Sequence, residues 1–226
     1  EWIKTPNMDR LAREGVLFEN SYTEGLPTVP CRRAMHTGRY TLQKAGWVPL
    51  SDEDTTIADL CWGRPIQTAL VFDCPNYRLP KFGYTRGFDK VWYTRGHEAD
   101  NYYEYDPLIN LNIDDFVEEH CAKAYAEKMG EQALKGNLAE LSIFLRQRQH
   151  WRSKEDHMVA RTVHSAMDYL DMVAREKSVF LWIDSFDPHE PWYPTSVTEG
   201  RPCPYDPDYK GKHQPYPCEG PVDGVI

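Results

Sequence analysis

A hydroxyl residue and an arginine at helical spacing are the side chains best suited to chemistry in this sequence. Thr28 lies at the start of a short helix that the pattern predicts from about Pro30 to Thr37, with Gly38 as its end. The first turn of a helix presents N–H groups and the positive end of the helix dipole, which attract an anion. Arg32 follows four residues later on the same face, where a guanidinium can hold an oxyanion or orient the hydroxyl. The alternative is that Thr28 only caps the helix and that Arg32 makes a surface ion pair.

Further polar side chains follow two runs that are predicted to be buried strands. The run from Gln67 to Phe72 ends at Asp73, with Asn76 shortly after it, and His189 follows the apolar run over residues 178–185. Because open α/β sheets bind ligands at the carboxyl ends of their strands, His189 is a candidate substrate contact, and Asp73 occupies the corresponding position after its own strand. The alternatives are a strand-end cap or solvated carboxylate for Asp73, and a loop histidine bonded to neighbouring carboxylates for His189.

The elements that must position these residues alternate between helix and strand, which predicts an α/β fold. Capping residues and apolar periodicity predict helices over residues 5–15, 30–37, 57–62 and 153–173, and strands over residues 16–18, 67–72 and 178–185. In the helix over 153–173, apolar residues recur at helical spacing from Met158 through Val163, Met167 and Leu170. The stretch over residues 114–148 is charged and mostly helical in periodicity, with breaks expected at its two glycines, Gly130 and Gly136.

The composition excludes several classes of partner. The 226 residues include 26 Lys and Arg against 35 Asp and Glu, and the net charge of −9 leaves no general basic surface for nucleic-acid phosphates or an anionic membrane. The longest apolar runs, such as Val179 to Ile183, are far too short to span a bilayer. We therefore expect a soluble chain with neither nucleic acid nor membrane as a partner. Its compartment stays open, with a cytoplasmic location favoured over a periplasmic or secreted one.

The cysteines point to packing rather than to metal or redox chemistry. None of the six forms a CxxC pair, which excludes a zinc ribbon and a thioredoxin-type motif, and we expect most, Cys31 among them, to be small buried side chains. Only Cys203 and Cys218 are placed to pair in an oxidising compartment. They lie in a segment over residues 191–226 that is rich in Pro and Tyr without any period, which predicts a long surface loop.

The segment around Thr28 resembles the signature of the sulfatase family, within the alkaline phosphatase superfamily. In that signature a Cys or Ser is followed by Pro at +2, Arg at +4 and Thr-Gly-Arg at +9 to +11. Counting back from Thr37-Gly38-Arg39 puts Thr28 at the nucleophile position, with Pro30 and Arg32 in register. The resemblance thus assigns a chemical role to the hydroxyl and the guanidinium that the helical spacing had brought together.

Three further stretches carry the same resemblance. Residues 4–16 look like the family's first helix, Gly87-Phe88-Asp89 like its mid-domain GFD, and residues 187–192 like the strand-end loop with a substrate-contacting histidine, here His189. The resemblance covers most of the chain and implies an alkaline-phosphatase-like sandwich, an α/β fold with a mostly parallel central sheet flanked by helices. It also implies that residues 1–226 are the N-terminal part of a single, longer catalytic domain, with the loop over 191–226 inside it.

Thr28 departs from the family pattern, in which the signature Cys or Ser is oxidised to formylglycine. The hydrate of that aldehyde attacks sulfur and later expels sulfate by collapsing back to the aldehyde, a route that threonine cannot supply. A signature read from Cys31 instead would need proline at position 33, where Arg33 stands. A threonine hydroxyl beside a divalent cation can still act as a direct nucleophile, because the cation favours its alkoxide, and phosphodiesterase relatives in the superfamily resemble this arrangement.

Two other departures concern charge and metal. Where the family usually places Gly-Lys-Trp-His, residues 73–77 read Asp-Cys-Pro-Asn-Tyr, so an acid replaces a cation that would complement sulfate. The family's metal-binding Asp pair would lie upstream of the helix at Thr5, with the second pair far downstream, and neither lies within this chain. The resemblance therefore implies a divalent cation (Ca²⁺, Mg²⁺ or Mn²⁺) that is mostly bound by residues outside this chain, with Thr28 as its only ligand here.

The function implied by the resemblance is hydrolysis of sulfate or phosphate/phosphonate esters. Thr28 would attack directly, Arg32 would hold the nucleophile and the oxyanion, His189 would contact the ester or leaving group, and Asp73 and Asn76 would contact substrate. Thr28 and His189 should then share one cleft, with the Arg32 guanidinium pointing toward Thr28. The partner would be a small-molecule or carbohydrate ester, and homo-oligomer formation stays open. The alternative is a non-catalytic sulfatase-fold binding protein, and the isolated chain, without its acidic metal ligands, is expected to be inactive.

Overall fold

The computed structural model describes residues 5–41, 46–97, 100, 112–148, 150–173 and 178–189. The chain forms two compact units, Glu1–Ile57 and Ala58–Ile226. The predicted surface loop over residues 191–226, with Cys203 and Cys218, lies outside the described residues. Among the described helices, none is both long and apolar enough to cross a membrane.

The first helix of the first unit forms where its capping residues predict it. α1 spans Pro6–Glu14, between Thr5 and Gly15. The Thr5 hydroxyl donates to Asp9 Oδ1 at 2.9 Å, and the Asp9 N–H donates back to Thr5 O at 2.8 Å. The proline at the first helical position needs no donor partner there, which makes Thr5-Pro6 an efficient helix start.

The strand predicted directly after α1 is wrong. Val16, Leu17 and Phe18 are 78%, 67% and 78% exposed and belong to no strand. A β-strand exists only through hydrogen bonds to a neighbouring strand, and no described segment of the first unit pairs with this run. An apolar run alone therefore predicted the wrong local structure.

A buried ion pair holds the last part of the first unit against α2, which spans Thr28–Thr37. The Arg33 guanidinium donates to Pro49 O at 2.7 Å and pairs with the carboxylate of Asp54. Asp54 also accepts from the Ser51 N–H at 2.7 Å and from the Ser51 hydroxyl at 3.0 Å. Burial would raise the pKa of Asp54, but the Ser51 hydrogen bonds and the Arg33 charge outweigh burial and hold that pKa below its ordinary value.

The second unit alternates helices with three strands. Its elements in chain order are α3 (Ile57–Cys61), β1 (Ile66–Phe72), α4 (Pro75–Arg78), β2 (Lys90–Tyr93), α5 (Glu119–Met129), α6 (Glu131–Arg148), α7 (Met158–Met172) and β3 (Ser178–Asp184). Single 3-10 turns cover Pro80–Phe82, Ile113–Asp115 and Lys154–Asp156. The predicted helix after Thr56, the strand over 67–72 and the strand over 178–185 are confirmed to within one or two residues.

The three strands form a parallel sheet in the order β2-β1-β3. In the register of the sheet, Leu70 of the central β1 pairs with Val91 of β2 on one side and with Trp182 of β3 on the other. Residues 68–72 of β1 are buried, as the continuous apolar run predicts for a strand covered on both faces. The parallel sheet flanked by helices confirms the predicted α/β class.

β2 was missing from the sequence interpretation. It has only four residues, it begins with an exposed lysine, and Val91 is 42% exposed. A short, half-exposed edge strand carries neither the continuous apolar run of β1 nor a clean alternation. Pairing with β1 therefore creates this strand, and Phe72 O extends the ladder by accepting from the Thr94 N–H at 2.8 Å.

The charged stretch forms two helices with one break. Gly130 separates α5 from α6 with a φ of 93°, a left-handed value that glycine adopts without steric cost. The break predicted at Gly136 is wrong, because α6 runs through it. An interior glycine costs a helix about 1 kcal/mol, and the apolar cluster that α6 contributes to outweighs that cost; it contains Phe116, Leu141, Phe144, Leu145 and Trp151.

α7 packs on the sheet with a different face from the one that its apolar series indicated. Val163, Met167 and Leu170 are 41%, 56% and 50% exposed, whereas the buried positions are Met158, Thr162, Ala166 and Tyr169. A hydrogen bond from Thr162 to the end of β1 and ring contact between Tyr169 and Trp92 select this face. Specific polar and aromatic contacts thus override hydrophobic periodicity.

The GFD motif joins α3 to the sheet. Gly87 has a φ of 83°, and a Cβ there would lie 2.7 Å from Asp59 Oδ1 and 2.8 Å from its backbone nitrogen, so only glycine fits. Asp89 Oδ2 accepts from the Thr68 N–H at 2.8 Å and from the Thr68 hydroxyl at 3.0 Å. Phe88 stacks on Phe180 of β3 with ring centroids 6.2 Å apart. In this structure the motif organises the sheet.

Candidate active site

Thr28 is the first residue of α2, two positions before the predicted start. The first backbone bond of the helix runs from the Cys31 N–H to Pro27 O at 3.2 Å, and Pro30, inside the first turn, has no N–H. Thr28 is half-buried, so its hydroxyl is not enclosed in an apolar core. The residue stands at the positive end of a ten-residue helix, where an anion is stabilised.

Arg32 and His36 follow Thr28 at successive turns of α2. Arg32 is half-buried and His36 is 1% exposed. Burial, and secondarily the positive charge of Arg32, lower the pKa of His36 from 6.5 to about 4. The face of the helix that carries Thr28 therefore has one permanent cation, on Arg32, and a neutral imidazole at pH 7.

The folding stability should fall as the pH drops from about 6.5 to about 4, because of His36. The folded state holds His36 neutral while the unfolded chain takes up a proton, so acid favours unfolding over this range. The difference between the two pKa values of His36 corresponds to a loss of about 3 kcal/mol in folding stability at a pH below both values. Thermal unfolding between pH 4 and 7 measures the slope, which should be reduced in His36→Asn. The exposed His164→Asn is the control, and a wild-type slope in His36→Asn would refute the assignment.

Cys31 differs from its predicted environment. The side chain is half-buried rather than buried. Its sulfur accepts from the Thr23 hydroxyl at 3.7 Å and lies 3.9 Å from Met35 Sδ. These contacts give Cys31 a packing role on the side of α2, in keeping with the interpretation that it is not the nucleophile.

Asp73 joins three elements at the carboxyl end of the sheet. Its side chain is fully buried; Oδ2 accepts from the hydroxyls of Thr162 at 3.1 Å and Ser185 at 3.0 Å, and Oδ1 accepts from the Phe186 N–H. Burial, only partly offset by these bonds, raises the pKa of Asp73. These hydrogen bonds favour a strand-end cap over a solvated carboxylate, the two alternatives to substrate contact for Asp73. Substrate contact by Asp73, and by Asn76 on α4, stays a prediction.

His189 lies beyond the carboxyl end of β3, on a short turn. It is half-buried, and its ring stacks on Phe186 with centroids 4.0 Å apart and an interplanar angle of 19°. The turn is closed by the His189 N–H, which donates to Phe186 O at 2.8 Å. Thr28 and Arg32 belong to the first unit and His189 to the second, so their meeting in one cleft stays a prediction, as does the direction of the Arg32 guanidinium.

A carboxylate that sequence reasoning missed organises the segment after β2. Asp100 is fully buried and accepts from Arg95 at 2.6 and 3.1 Å, from the Gly96 N–H at 2.9 Å and from the Tyr93 hydroxyl at 3.0 Å. Arg78 adds an ion pair at 3.3 Å. Burial would raise the pKa of Asp100, but the donors, led by Arg95, hold it below its ordinary value. In the sequence, the spacing of Arg95, Gly96 and Asp100 was the available sign of this cluster, and that spacing does not reveal that Asp100 is buried.

The described residues do not by themselves supply a divalent-metal site. Among them, no group of three or more His, Cys, Asp and Glu side chains is close enough to hold an ion. The acidic groups best placed by sequence, such as Asp73, are occupied by hydroxyl and amide donors of the fold. The described residues can therefore contribute at most isolated ligands to such a centre.

A protein-family model described as Sulfatase matches residues 1–217. Two curated proteins are similar over shorter stretches. The multifunctional alkaline phosphatase superfamily protein PehA of Trinickia caryophylli is 46% identical over 41 residues, which are 18% of this chain and 8% of that protein. The N-acetylglucosamine-6-O-sulfatase of Bacteroides thetaiotaomicron is 30% identical over 108 residues, which are 46% of this chain and 18% of that protein.

A solved structure shares the fold. The crystal structure of the phosphonate monoester hydrolase of Agrobacterium radiobacter matches with a TM-score of 0.53 and 16% identity, over 84% of this chain and 37% of the hydrolase. The chain thus spans well under half of the length of the proteins that it matches. Because the family model covers nearly all of the 226 residues, the chain belongs to the sulfatase family.

Proposed function

We propose that the protein containing this chain is a metal-dependent hydrolase of sulfate or phosphate/phosphonate esters, with Thr28 as its nucleophile. The observation that carries the proposal is the position of Thr28 as the first residue of α2, half-buried, in register with the family's Pro30, Arg32 and Thr37-Gly38-Arg39. The names of the related proteins, a sulfatase and a phosphonate monoester hydrolase, support an ester of sulfur or phosphorus as the substrate.

Thr28 attacks in line in this proposal. As the Thr28 hydroxyl loses its proton, a bond forms between its oxygen and the sulfur or phosphorus of the ester. The bond to the leaving oxygen breaks on the opposite side, and that oxygen takes up a proton and departs as the alcohol. The helix start favours the negative charge that develops on the transferred group. Water then hydrolyses the Thr28 ester and restores the hydroxyl.

Arg32 holds the transferred group by its charge. A guanidinium one turn along the helix can donate two parallel hydrogen bonds to two oxygens of a sulfuryl or phosphoryl group. The buried His36 stays neutral at pH 7, so it neither competes for those oxygens as a second cation nor loses a proton during turnover. His189 contacts the ester or the leaving group from its turn after β3.

The proposal includes a divalent cation, Ca²⁺, Mg²⁺ or Mn²⁺, which when bound would favour the alkoxide form of a hydroxyl beside it. Thr28 is the only residue of this chain assigned to that ion. The remaining ligands are sought outside the described residues, since those residues contain no group that could hold the ion alone. The isolated chain should accordingly be inactive.

The intact protein should prefer phosphate diesters or phosphonate esters over sulfate esters by at least about tenfold in kcat/KM, about 1.4 kcal/mol in barrier. A Thr28 sulfate ester must be released by attack of water, because threonine has no aldehyde hydrate that could expel sulfate. The family's Lys is replaced by Asp73, which also removes a positive group. Rates on nitrophenyl sulfate, a bis-nitrophenyl phosphate diester and a nitrophenyl phosphonate ester measure the preference.

The same assay tests metal dependence through removal of the ion by EDTA and restoration by added Mg²⁺, Mn²⁺ or Ca²⁺. Robust sulfatase turnover without phosphoesterase activity, with Thr28 shown to be unmodified by mass spectrometry, would contradict the proposed selectivity. Absence of turnover on all three esters, with or without added metal, would favour the second candidate, a non-catalytic binding protein. The specific observation behind that candidate is the replacement of both the formylglycine precursor and the Lys-His pair.

A further inference from the structure

A buried histidine that no sequence pattern singled out lies beside the turn that carries His189. His97 follows β2, and its side chain is 1% exposed. Neither of its ring nitrogens has a hydrogen-bond partner within the described part of the chain. Buried polar atoms are bonded in the great majority of cases, so each exception calls for an explanation.

The backbone around His97 is held in place by the Asp100 cluster. The Asp100 N–H donates to His97 O at 3.0 Å, and Asp100 Oδ2 accepts from the Gly96 N–H at 2.9 Å. Gly96 is buried with a φ of 115°, and a Cβ there would lie 3.0 Å from Gln147 Oε1. Gln147 in turn donates to Asp100 O at 2.6 Å. The imidazole of His97 therefore projects from backbone that is hydrogen-bonded to Asp100.

His97 contacts the turn after β3 in two ways. Its ring meets Phe186 edge to face, with centroids 4.9 Å apart and an interplanar angle of 83°. Its Nε2 lies 3.9 Å from Asp187 Oδ1, a separation that a bridging water or a small side-chain shift would convert into a hydrogen bond. Phe186 is itself stacked on His189, so a change at His97 reaches His189 through one intervening ring.

We propose that His97 is a positioning residue for His189. The imidazole fixes the turn over residues 186–189 by packing against Phe186 and by holding Nε2 3.9 Å from the Asp187 carboxylate, within reach of a bridging water. Asp73 holds the same turn through the Phe186 N–H. The His189 ring then has one orientation, which is what a side chain that contacts an ester must have. This inference rests on the proposed function only for the contact between His189 and the ester. The positioning of His189 by His97 is a property of the fold.

The variant that tests the proposal is His97→Phe in the intact protein. Phenylalanine keeps the edge contact and removes two buried nitrogens that have no hydrogen-bond partner among the described residues, so the variant should fold with a melting temperature close to that of the wild type. The link to Asp187 is lost, and NMR of ¹³C-labelled histidine should show the His189 ring signal moving away from the position given by stacking on Phe186. His97→Gln, whose amide can donate to a carboxylate, should restore part of that shift. The exposed His164→Ala is the matched control.

Kinetics provide a second readout. His97→Phe should lower kcat/KM on the preferred ester by about tenfold to a hundredfold, the scale of a misplaced contact, but should have no further effect in a His189→Ala background. Unmoved His189 signals in a folded His97→Phe protein would overturn the positioning role, whether or not the enzyme hydrolyses esters. An additive loss in the double variant would overturn it as well. If the wild type hydrolyses none of the esters while the His189 signal still depends on His97, the proposed function is refuted and the positioning role of His97 is supported.

Discussion

Replacement of Thr28 by alanine should lower kcat/KM of the intact protein on its preferred ester at least about a thousandfold, a loss of about 4 kcal/mol in transition-state stabilisation. The methyl group of alanine cannot form the covalent ester on which the proposed reaction depends. The helix should be little affected, because Thr28 is half-buried at its first position and the turn is closed by the Cys31 backbone. Initial rates with saturating metal, together with the melting temperature, measure the two effects separately.

Thr28→Ser is the matched variant for this experiment. Serine keeps the hydroxyl at the start of α2 and should retain activity within about tenfold of the wild type. Rapid acid quench followed by mass spectrometry should find a Thr28 peptide that carries the transferred group, an aryl phosphoryl group from the diester or a phosphonyl group from the phosphonate ester, in the wild type and none in Thr28→Ala. Equal rates for wild type and Thr28→Ala would mean that the hydroxyl is not the nucleophile.

Replacement of Asp100 by alanine should lower the free energy of unfolding by about 3 kcal/mol or more, the largest stability effect that we expect in the second unit. The variant leaves the buried Gly96 N–H and the Tyr93 hydroxyl without their acceptor and Arg95 without its counter-ion. Arg95 is 43% exposed and regains water, so most of the loss comes from the buried donors. Denaturant unfolding of wild type and variant measures the difference.

The pH dependence of this difference has a defined sign. Because the pKa of Asp100 is lower in the folded state than in the unfolded chain, its contribution is present above the ordinary carboxyl value and is lost as the pH falls through the folded pKa. The gap between wild type and Asp100→Ala should therefore shrink in acid. Asp168→Ala, at an exposed position of α7, should change stability by no more than about 0.5 kcal/mol. An equal effect at both positions would contradict the role of Asp100.

Local signals predicted the elements that depend on local energies. Thr5-Pro6 and Gly15 bound α1 because a first-turn proline and the bond from the Gly15 N–H to Leu11 O act within one helical turn. Gly38 ends α2 in the left-handed conformation for the same reason. The apolar run over residues 69–72 of β1 indicated a buried strand, and the structure shows that this strand is the central one.

Elements that depend on distant partners were not predictable in this way. The run over residues 16–18 has strand-forming residues but no strand to pair with in the described part of its unit, whereas the less apolar β2 gains one in β1. The buried face of α7 follows from one hydroxyl at the end of β1 and one aromatic contact, neither of which is visible in the spacing of Val163 and Met167.

The sequence by itself determined the family register around Thr28, the α/β class and the end of the helix that would carry the nucleophile, at Gly38, because these depend on residue types at short spacing. Only the tertiary structure decided that Asp73 is bonded to α7 and to the segment after β3, that Asp100 is buried, and that His97 lies against the turn of His189. Burial and proximity across the sheet are set by which strands pair and in which register. That pairing is a property of the whole packed unit, since each contact is stabilised only when the others have formed.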